Sequence, residues 1–116
     1  MLVKSRFKIL VVGFFAAGFV WACAEPKKRL SVQESVRVEA SFYRANCVVC
    51  HGAEATGKDI GGRITPSMRT GDVLTKSDDY IYNQIQNGGN GMPPFKYQMT
   101  EQQIKNMVGF IRDLQK

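Results

Sequence analysis

Cys47-Val48-Val49-Cys50-His51 is the stretch of this 116-residue sequence that decides its fold. It contains two of the three cysteines of the chain and its one histidine. Two cysteines separated by two residues and followed directly by a histidine have the spacing of covalent haem attachment. On a helical turn, positions three and four apart share a face, so both thiols reach the vinyl groups of one haem while the imidazole points at the iron. The motif therefore predicts one covalently bound haem c on Cys47, Cys50 and His51.

Three other interpretations of this motif use the same residue types. A structural zinc site takes four cysteine or histidine ligands, and after residue 23 only Cys47, Cys50 and His51 are present. A thioredoxin-like dithiol needs a strand before the motif, whereas the residues before Cys47 have a helical period. A structural disulfide in an exported protein is the third alternative.

The first 22 residues have the pattern of an export signal. Lys4, Arg6 and Lys8 form a basic start, and residues 9–22 are an uninterrupted apolar run. This run is shorter than the roughly 20 residues that span a bilayer comfortably, so a retained transmembrane anchor is the weaker interpretation. We therefore expect an exported protein, in the periplasm or on the outer face of a bacterial membrane.

The end of the leader resembles a bacterial lipobox. In the segment VWAC at positions 20–23, the final Cys23 would become the lipidated first residue of the mature protein, although Trp21 departs from the usual pattern. Cleavage before Glu25 is the alternative and would release a soluble protein. The expected organisation is a signal peptide, then a tether over residues 23–31, then one domain over residues 32–116.

The charge of the mature chain argues against nucleic acid as a partner. The 16 basic residues lose Lys4, Arg6 and Lys8 with the leader, which leaves 13 against 10 acidic residues, a net charge of +3. Two haem propionates would lower it further, and no basic stripe with interleaved aromatics is present. With 44% hydrophobic and 22% charged residues, the composition is that of one small globular domain, which we expect to be monomeric.

A first helix is predicted immediately before the motif. Apolar residues recur there every three or four positions: Val32, Val36, Ala40, Tyr43 and Cys47. Ser31 is the predicted N-cap, and Glu34 completes a capping box. Tyr43 is expected to be a packing residue of the core and not a catalytic one.

Two further helices are predicted after the motif, and no segment has a strand pattern. The last helix begins at Thr100, which forms a capping box with Gln103, and its apolar residues recur at helical spacing: Ile104, Met107, Val108, Ile111 and Leu114. Gly109 is expected to let this helix approach the first one closely. A shorter middle helix begins at Ser77, carries Ile81 and Ile85, and ends at Gly88 and Gly89. The predicted fold class is all-α.

This order of features resembles class I cytochrome c over residues 32–115: a helix, CVVCH, a loop with Pro66, a short helix, GGNGMPPF and a final helix. The resemblance implies three to four short helices wrapped around one covalently bound haem. It also implies that His51 and the loop methionine Met92 ligate the iron, and that the Pro66 carbonyl accepts the other ring N–H of the histidine. A proline that only stiffens its loop is the alternative for Pro66. Many relatives have glycine where this chain has Glu39, and Ala40 is expected to take the place of that glycine at the helix crossing.

The local chemistry of the Met92 loop agrees with this ligand assignment. Gly88, Gly89 and Gly91 permit turns that other residues resist, and Pro93 biases Met92 toward an extended backbone. A mobile glycine loop in which Met92 only packs is the alternative.

The resemblance implies a single-electron carrier and not an enzyme. A His51/Met92 pair leaves no open iron position for a substrate, and the soft thioether favours ferrous iron and raises the reduction potential. Expected partners are redox proteins: a quinol-oxidising complex, a terminal oxidase or a dehydrogenase. The alternatives are an electron-transfer subunit of a periplasmic dehydrogenase or sulfur-oxidising complex, or a haem sensor or enzyme in which Met92 does not bind the iron.

Overall fold

The computed structural model describes residues 28–116. In chain order, its elements are helix α1 (Val38–Asn46), helix α2 (Val48–His51), strands β1 (Lys58–Ile60) and β2 (Arg63–Thr65), a 3-10 helix (Gly71–Thr75), helix α3 (Asp78–Asn87) and helix α4 (Glu101–Leu114). The mostly helical fold predicted from the sequence is confirmed. Within residues 28–116, no helix has the length and apolar character needed to span a bilayer. The predicted leader and Cys23 lie outside the described residues.

Helix α4 forms as its local sequence predicts. The Thr100 hydroxyl accepts from the Gln103 N–H, and the Gln103 side chain accepts from the Thr100 N–H, which completes the capping box. The helix buries six side chains: Ile104, Met107, Val108, Phe110, Ile111 and Leu114. It packs against α1 and α3, and each fully buried apolar side chain stabilises the fold by roughly 1.5–3 kcal/mol.

Helix α3 also follows its sequence signals. The Ser77 hydroxyl accepts from the Tyr80 N–H at its start, and Ile81 and Ile85 are buried. The helix ends at Gly88, whose φ of +69° is open to glycine at little cost. The loop carrying Met92 therefore leaves the helix at a fixed point.

Helix α1 begins at Val38 and not near Val32, so the predicted start of this helix is wrong. The Ser31 hydroxyl accepts from the Glu34 N–H, but it caps an isolated turn and not the predicted helix. That turn is then held by tertiary bonds and does not continue as a helix: the Val32 N–H donates to the Glu54 carboxylate over 2.9 Å. Val32 is fully buried, whereas Val36, expected on the same apolar face, is 97% exposed.

A second correction concerns the expectation that no strand is present. Strands β1 and β2 pair in antiparallel register around a turn at Gly61 and Gly62, both with positive φ. The Gly-Gly pair between two short segments is a hairpin signal. Each strand has only three residues and no buried side chain, which is why an apolar alternation is missing from the sequence.

The role expected of Gly109 is also wrong. Gly109 is exposed, and no atom other than those of its chain neighbours and its own helix backbone lies within 4 Å of the position that a Cβ would take there. The glycine therefore does not mark a close approach of two backbones. Ala40 is fully buried in α1, which packs against α4, as expected of the residue at a helix crossing.

Arg69 ties three distant segments together. Its guanidinium donates to the carbonyls of Leu30 (2.7 Å) and Leu114 (3.2 Å) and to the carboxylate of Glu54 (3.0 Å). The Arg69 side chain is only 9% exposed. The chain entering the domain, the loop after the motif and the end of α4 are therefore held at one point.

Candidate functional site

His51 is the last residue of α2 and is half-buried. Its Nδ1 lies 3.3 Å from the Pro66 carbonyl oxygen, as the sequence resemblance implied. Burial lowers the pKa of His51, and the Pro66 carbonyl partly opposes this shift. With Nδ1–H donating to Pro66, the neutral ring presents the lone pair of Nε2, the nitrogen left to bind a metal.

No disulfide joins Cys47 and Cys50. Cys47 lies between α1 and α2 and is half-buried, and Cys50 is exposed on α2. Burial, with a smaller contribution from the charge of Cys50, raises the pKa of Cys47 to about 11. Redox dithiols instead have a lowered thiol pKa, because the thiolate is the nucleophile. The environment of Cys47 therefore disfavours the dithiol interpretation.

Met92 is held in a short, closed loop after α3. The Gly89 N–H donates to the Met92 carbonyl over 2.9 Å, and the Met92 N–H donates to the Gly89 carbonyl over 3.0 Å. A Cβ at Gly88 would collide with the Met92 carbonyl oxygen. The amide of Gln84 lies 3.8 Å from the Met92 sulfur and 3.2 Å from the Gly89 oxygen. The thioether therefore occupies a braced position and is half-buried.

The other methionines after residue 32 are placed differently. Met68, Met99 and Met107 are at most 9% exposed and belong to the hydrophobic core. Met92 only packs against the edge of that core. Of these four, it is the methionine whose sulfur is left most available to a ligand.

The segment after His51 meets the Met92 loop. Strand β1 is connected to the motif by the Gly57 N–H, which donates to the His51 carbonyl over 3.0 Å. From β2, the guanidinium of Arg63 reaches the backbone at Gly91. The structure thus brings the two sides of the predicted iron site together through Arg63 and Gly91. Neither Arg63 nor Gln84 was predicted from the sequence, because neither belongs to the CVVCH or GGNGMPPF motif.

The chemistry of this region fits a haem. This region offers two thiols, an imidazole with a free Nε2 and a thioether held in a fixed position. These are the groups that a haem c requires. Large apolar side chains of the motif and of β2 are exposed, with Val49 at 68% and Ile64 at 79%. An apolar porphyrin would cover such surface. Among residues 28–116, no three histidine, cysteine or acidic residues cluster as a metal site, which also disfavours zinc.

The helical fold and the Cys-x-x-Cys-His turn define a small monohaem c-type cytochrome. The sequence model of the family described as "Cytochrome C oxidase, cbb3-type, subunit III" matches residues 34–111, two thirds of the chain. The chain belongs to this family of cytochrome c domains, and its cofactor is covalently attached haem c. The predictions of the family, of the fold and of haem c are confirmed.

Relatives of known class agree with this assignment. Cytochrome c6 from a Synechococcus strain is 32% identical over 80 residues, which cover 64% of this chain and 65% of the relative. The cbb3-type cytochrome c oxidase subunit FixP of Sinorhizobium medicae is 29% identical over 93 residues, or 71% of this chain and 31% of the relative. The solved structure of the c-type cytochrome KustC0563 superposes with a TM-score of 0.50 at 26% identity, covering 66% of this chain and 95% of that one.

Proposed function

We propose that this protein carries single electrons through one haem c that is tethered at Cys47 and Cys50 and ligated by His51 and Met92. The contact between His51 Nδ1 and the Pro66 carbonyl is the observation on which the proposal depends most. It fixes the imidazole tautomer, so that Nε2 is the nitrogen offered to the iron. The similarity to cytochrome c6 supports an electron-transfer role.

In this proposal, the protein holds both axial groups still. The haem supplies reversible uptake of one electron at its iron. Pro66 restrains the His51 ring, and Gly89 and Gln84 restrain the Met92 loop. Two retained ligands leave no coordination site for a substrate and keep reorganisation small, so the protein acts as a carrier and not as an enzyme.

We further propose that the carrier works outside the cytoplasm and exchanges electrons with membrane-bound redox complexes. The apolar leader and the VWAC segment ending at Cys23 support export and a lipid anchor. The resemblance to FixP, a subunit of a cbb3-type oxidase, favours a respiratory chain with a terminal oxidase as acceptor. A quinol-oxidising complex or a dehydrogenase would be the donor.

Covalent haem attachment is tested by mass. We expect the mature protein, made in cells that attach haem c, to exceed its polypeptide and lipid mass by one haem, and to keep a haem stain after denaturing electrophoresis. The double variant Cys47→Ala/Cys50→Ala should lose both signals. A wild-type protein with no haem mass would contradict the proposal.

The methionine ligand is tested by substitution at equal volume. We expect Met92→Leu to abolish the weak far-red sulfur-to-iron band of the ferric protein and to admit external ligands such as imidazole, because the iron loses its thioether. Met68→Leu, at a buried core methionine, is the matched control and should keep the band. A far-red band that survives in Met92→Leu would show that another group ligates the iron.

A further inference from the structure

Arg63 lies at the start of β2, on the hairpin that follows the haem-attachment motif. Its cross-strand partner is Ile60, so the two side chains project from the same face of the hairpin. From this face the guanidinium reaches Gly91, the residue before Met92, and a Cβ at Gly91 would collide with it. Arg63 therefore connects the segment after His51 to the loop that carries the sulfur.

The guanidinium of Arg63 has no internal partner among residues 28–116. The hydrogen bonds and ion pairs of this part of the chain do not include its side chain, although four of the five other arginines there donate to carbonyls or carboxylates: Arg37, Arg44, Arg69 and Arg112. Arg63 thus keeps its planar fork of N–H donors free at the meeting point of the hairpin and the Met92 loop. A fork of this kind matches a carboxylate with two parallel hydrogen bonds.

We propose that Arg63 binds a propionate carboxylate of the haem and in this way holds the hairpin and the Met92 loop on the cofactor. This inference rests on the proposed function, because it requires a haem between the two segments. The propionates are the only anionic side groups of the porphyrin, and no carboxylate of residues 28–116 pairs with Arg63. A bound cation also favours the reduced iron, so Arg63 would raise the reduction potential.

The test compares three variants of the haem-loaded protein: Arg63→Gln, Arg63→Lys and, as control, Lys58→Gln. Lys58 is exposed on the same face of the same hairpin, so its replacement makes the same change of charge. Two properties are measured at one pH and ionic strength: the propionate bending band in the resonance Raman spectrum, which responds to hydrogen bonds on these carboxylates, and the reduction potential.

We expect the propionate band to shift and the potential to fall in Arg63→Gln. Arg63→Lys, which keeps the charge but not the fork, should have a potential between those of wild type and Arg63→Gln, and Lys58→Gln should match wild type. A propionate band and potential that are the same in Arg63→Gln and Lys58→Gln would overturn the proposal. So would loss of the far-red band in Arg63→Gln with an unchanged propionate band, since Arg63 would then only pack against the loop.

Failure of this inference is distinguishable from failure of the proposed function. If the wild-type protein carries haem and shows the far-red band, while Arg63→Gln behaves as the control, only the role of Arg63 is contradicted. A wild-type protein without covalent haem removes both.

Discussion

Gly88 is the residue of the Met92 loop whose Cβ position lies closest to backbone atoms. Its φ is +69°, and an added Cβ would overlap the Met92 carbonyl oxygen and the Pro93 backbone. Gly71 also has a positive φ, of +79°, but no atom lies within 4 Å of its Cβ position. Comparing alanine substitutions at the two glycines therefore separates the free-energy cost of backbone strain from that of a close contact.

We expect Gly88→Ala to destabilise the folded protein by about 2–4 kcal/mol, because strain and overlap add. It should also weaken the far-red band, since the loop must move to accept the methyl group. Gly71→Ala, with strain alone, should cost about 1–2 kcal/mol and leave the band intact. Chemical denaturation and the ferric spectrum measure both effects. Equal losses in the two variants would mean that the contact at Gly88 is unimportant.

Site residues that belong to a motif of fixed spacing can be predicted from the sequence. The helical-turn spacing predicts Cys47, Cys50 and His51 as the attachment site, and the resemblance to class I cytochrome c predicts Met92 as a ligand, with which its glycine and proline neighbours agree. Arg63 is distant from these motifs, and its reach to Gly91 depends on the register of a hairpin that the sequence only weakly indicates. Its contact could therefore be found only from the structure.

Among the helices, those with local start and stop signals were predicted correctly. α3 and α4 carry their caps within the first turn, at Ser77 and Thr100, and these caps form. The start of α1 was not predictable in this way, because Glu54, some 20 residues away, accepts the backbone N–H of Val32 and replaces a helical bond. Tertiary hydrogen bonds of this kind leave no local sequence pattern.

Gly109 lowers the stability of helix α4, and nothing around it requires a glycine. This residue is within the helix, is exposed and has free space around its Cβ position. We expect Gly109→Ala to stabilise the protein by about 0.5–1 kcal/mol, because alanine loses less backbone entropy on folding. Thermal or urea unfolding measures this gain, and the haem spectrum should be unchanged. Destabilisation by Gly109→Ala would contradict this expectation and would indicate a close contact at the Gly109 Cβ position.

Two carboxyl groups that bond distant parts of the fold, those of Glu54 and Asp113, have lowered pKa values. At Glu54, burial acts to raise the pKa, but hydrogen bonds from Val32, Ser31 and Gln33 and the charge of Arg69 outweigh it, so the pKa is lowered. At Asp113, hydrogen bonds from Lys116 and Arg37 lower the pKa. Both carboxylates are more acidic in the folded than in the unfolded chain. They stabilise the fold above the unfolded pKa of about 4, and this contribution is lost as the pH falls through the folded pKa.

We therefore expect Glu54→Gln to lower the free energy of unfolding by roughly 1–2 kcal/mol at pH 7, because the amide replaces a charged acceptor of several hydrogen bonds. The difference from wild type should shrink below about pH 4, where the unfolded chain takes up a proton at Glu54, and should vanish as the pH falls through the lowered pKa of Glu54 in the folded chain. Glu34→Gln is the control, since Glu34 is exposed and makes one surface ion pair, with Lys28. Urea unfolding between pH 3 and 7 makes the comparison. A constant difference across this range would contradict the assignment.

The bond from Arg69 to the Leu30 carbonyl sets how far the domain can travel from an anchor. Leu30 is the seventh residue after Cys23, and an extended chain of that length reaches at most roughly 25 Å. A lipid on Cys23 would thus keep the domain within about one protein diameter of the bilayer. Electron exchange would then be confined to complexes whose redox centres open close to the membrane surface.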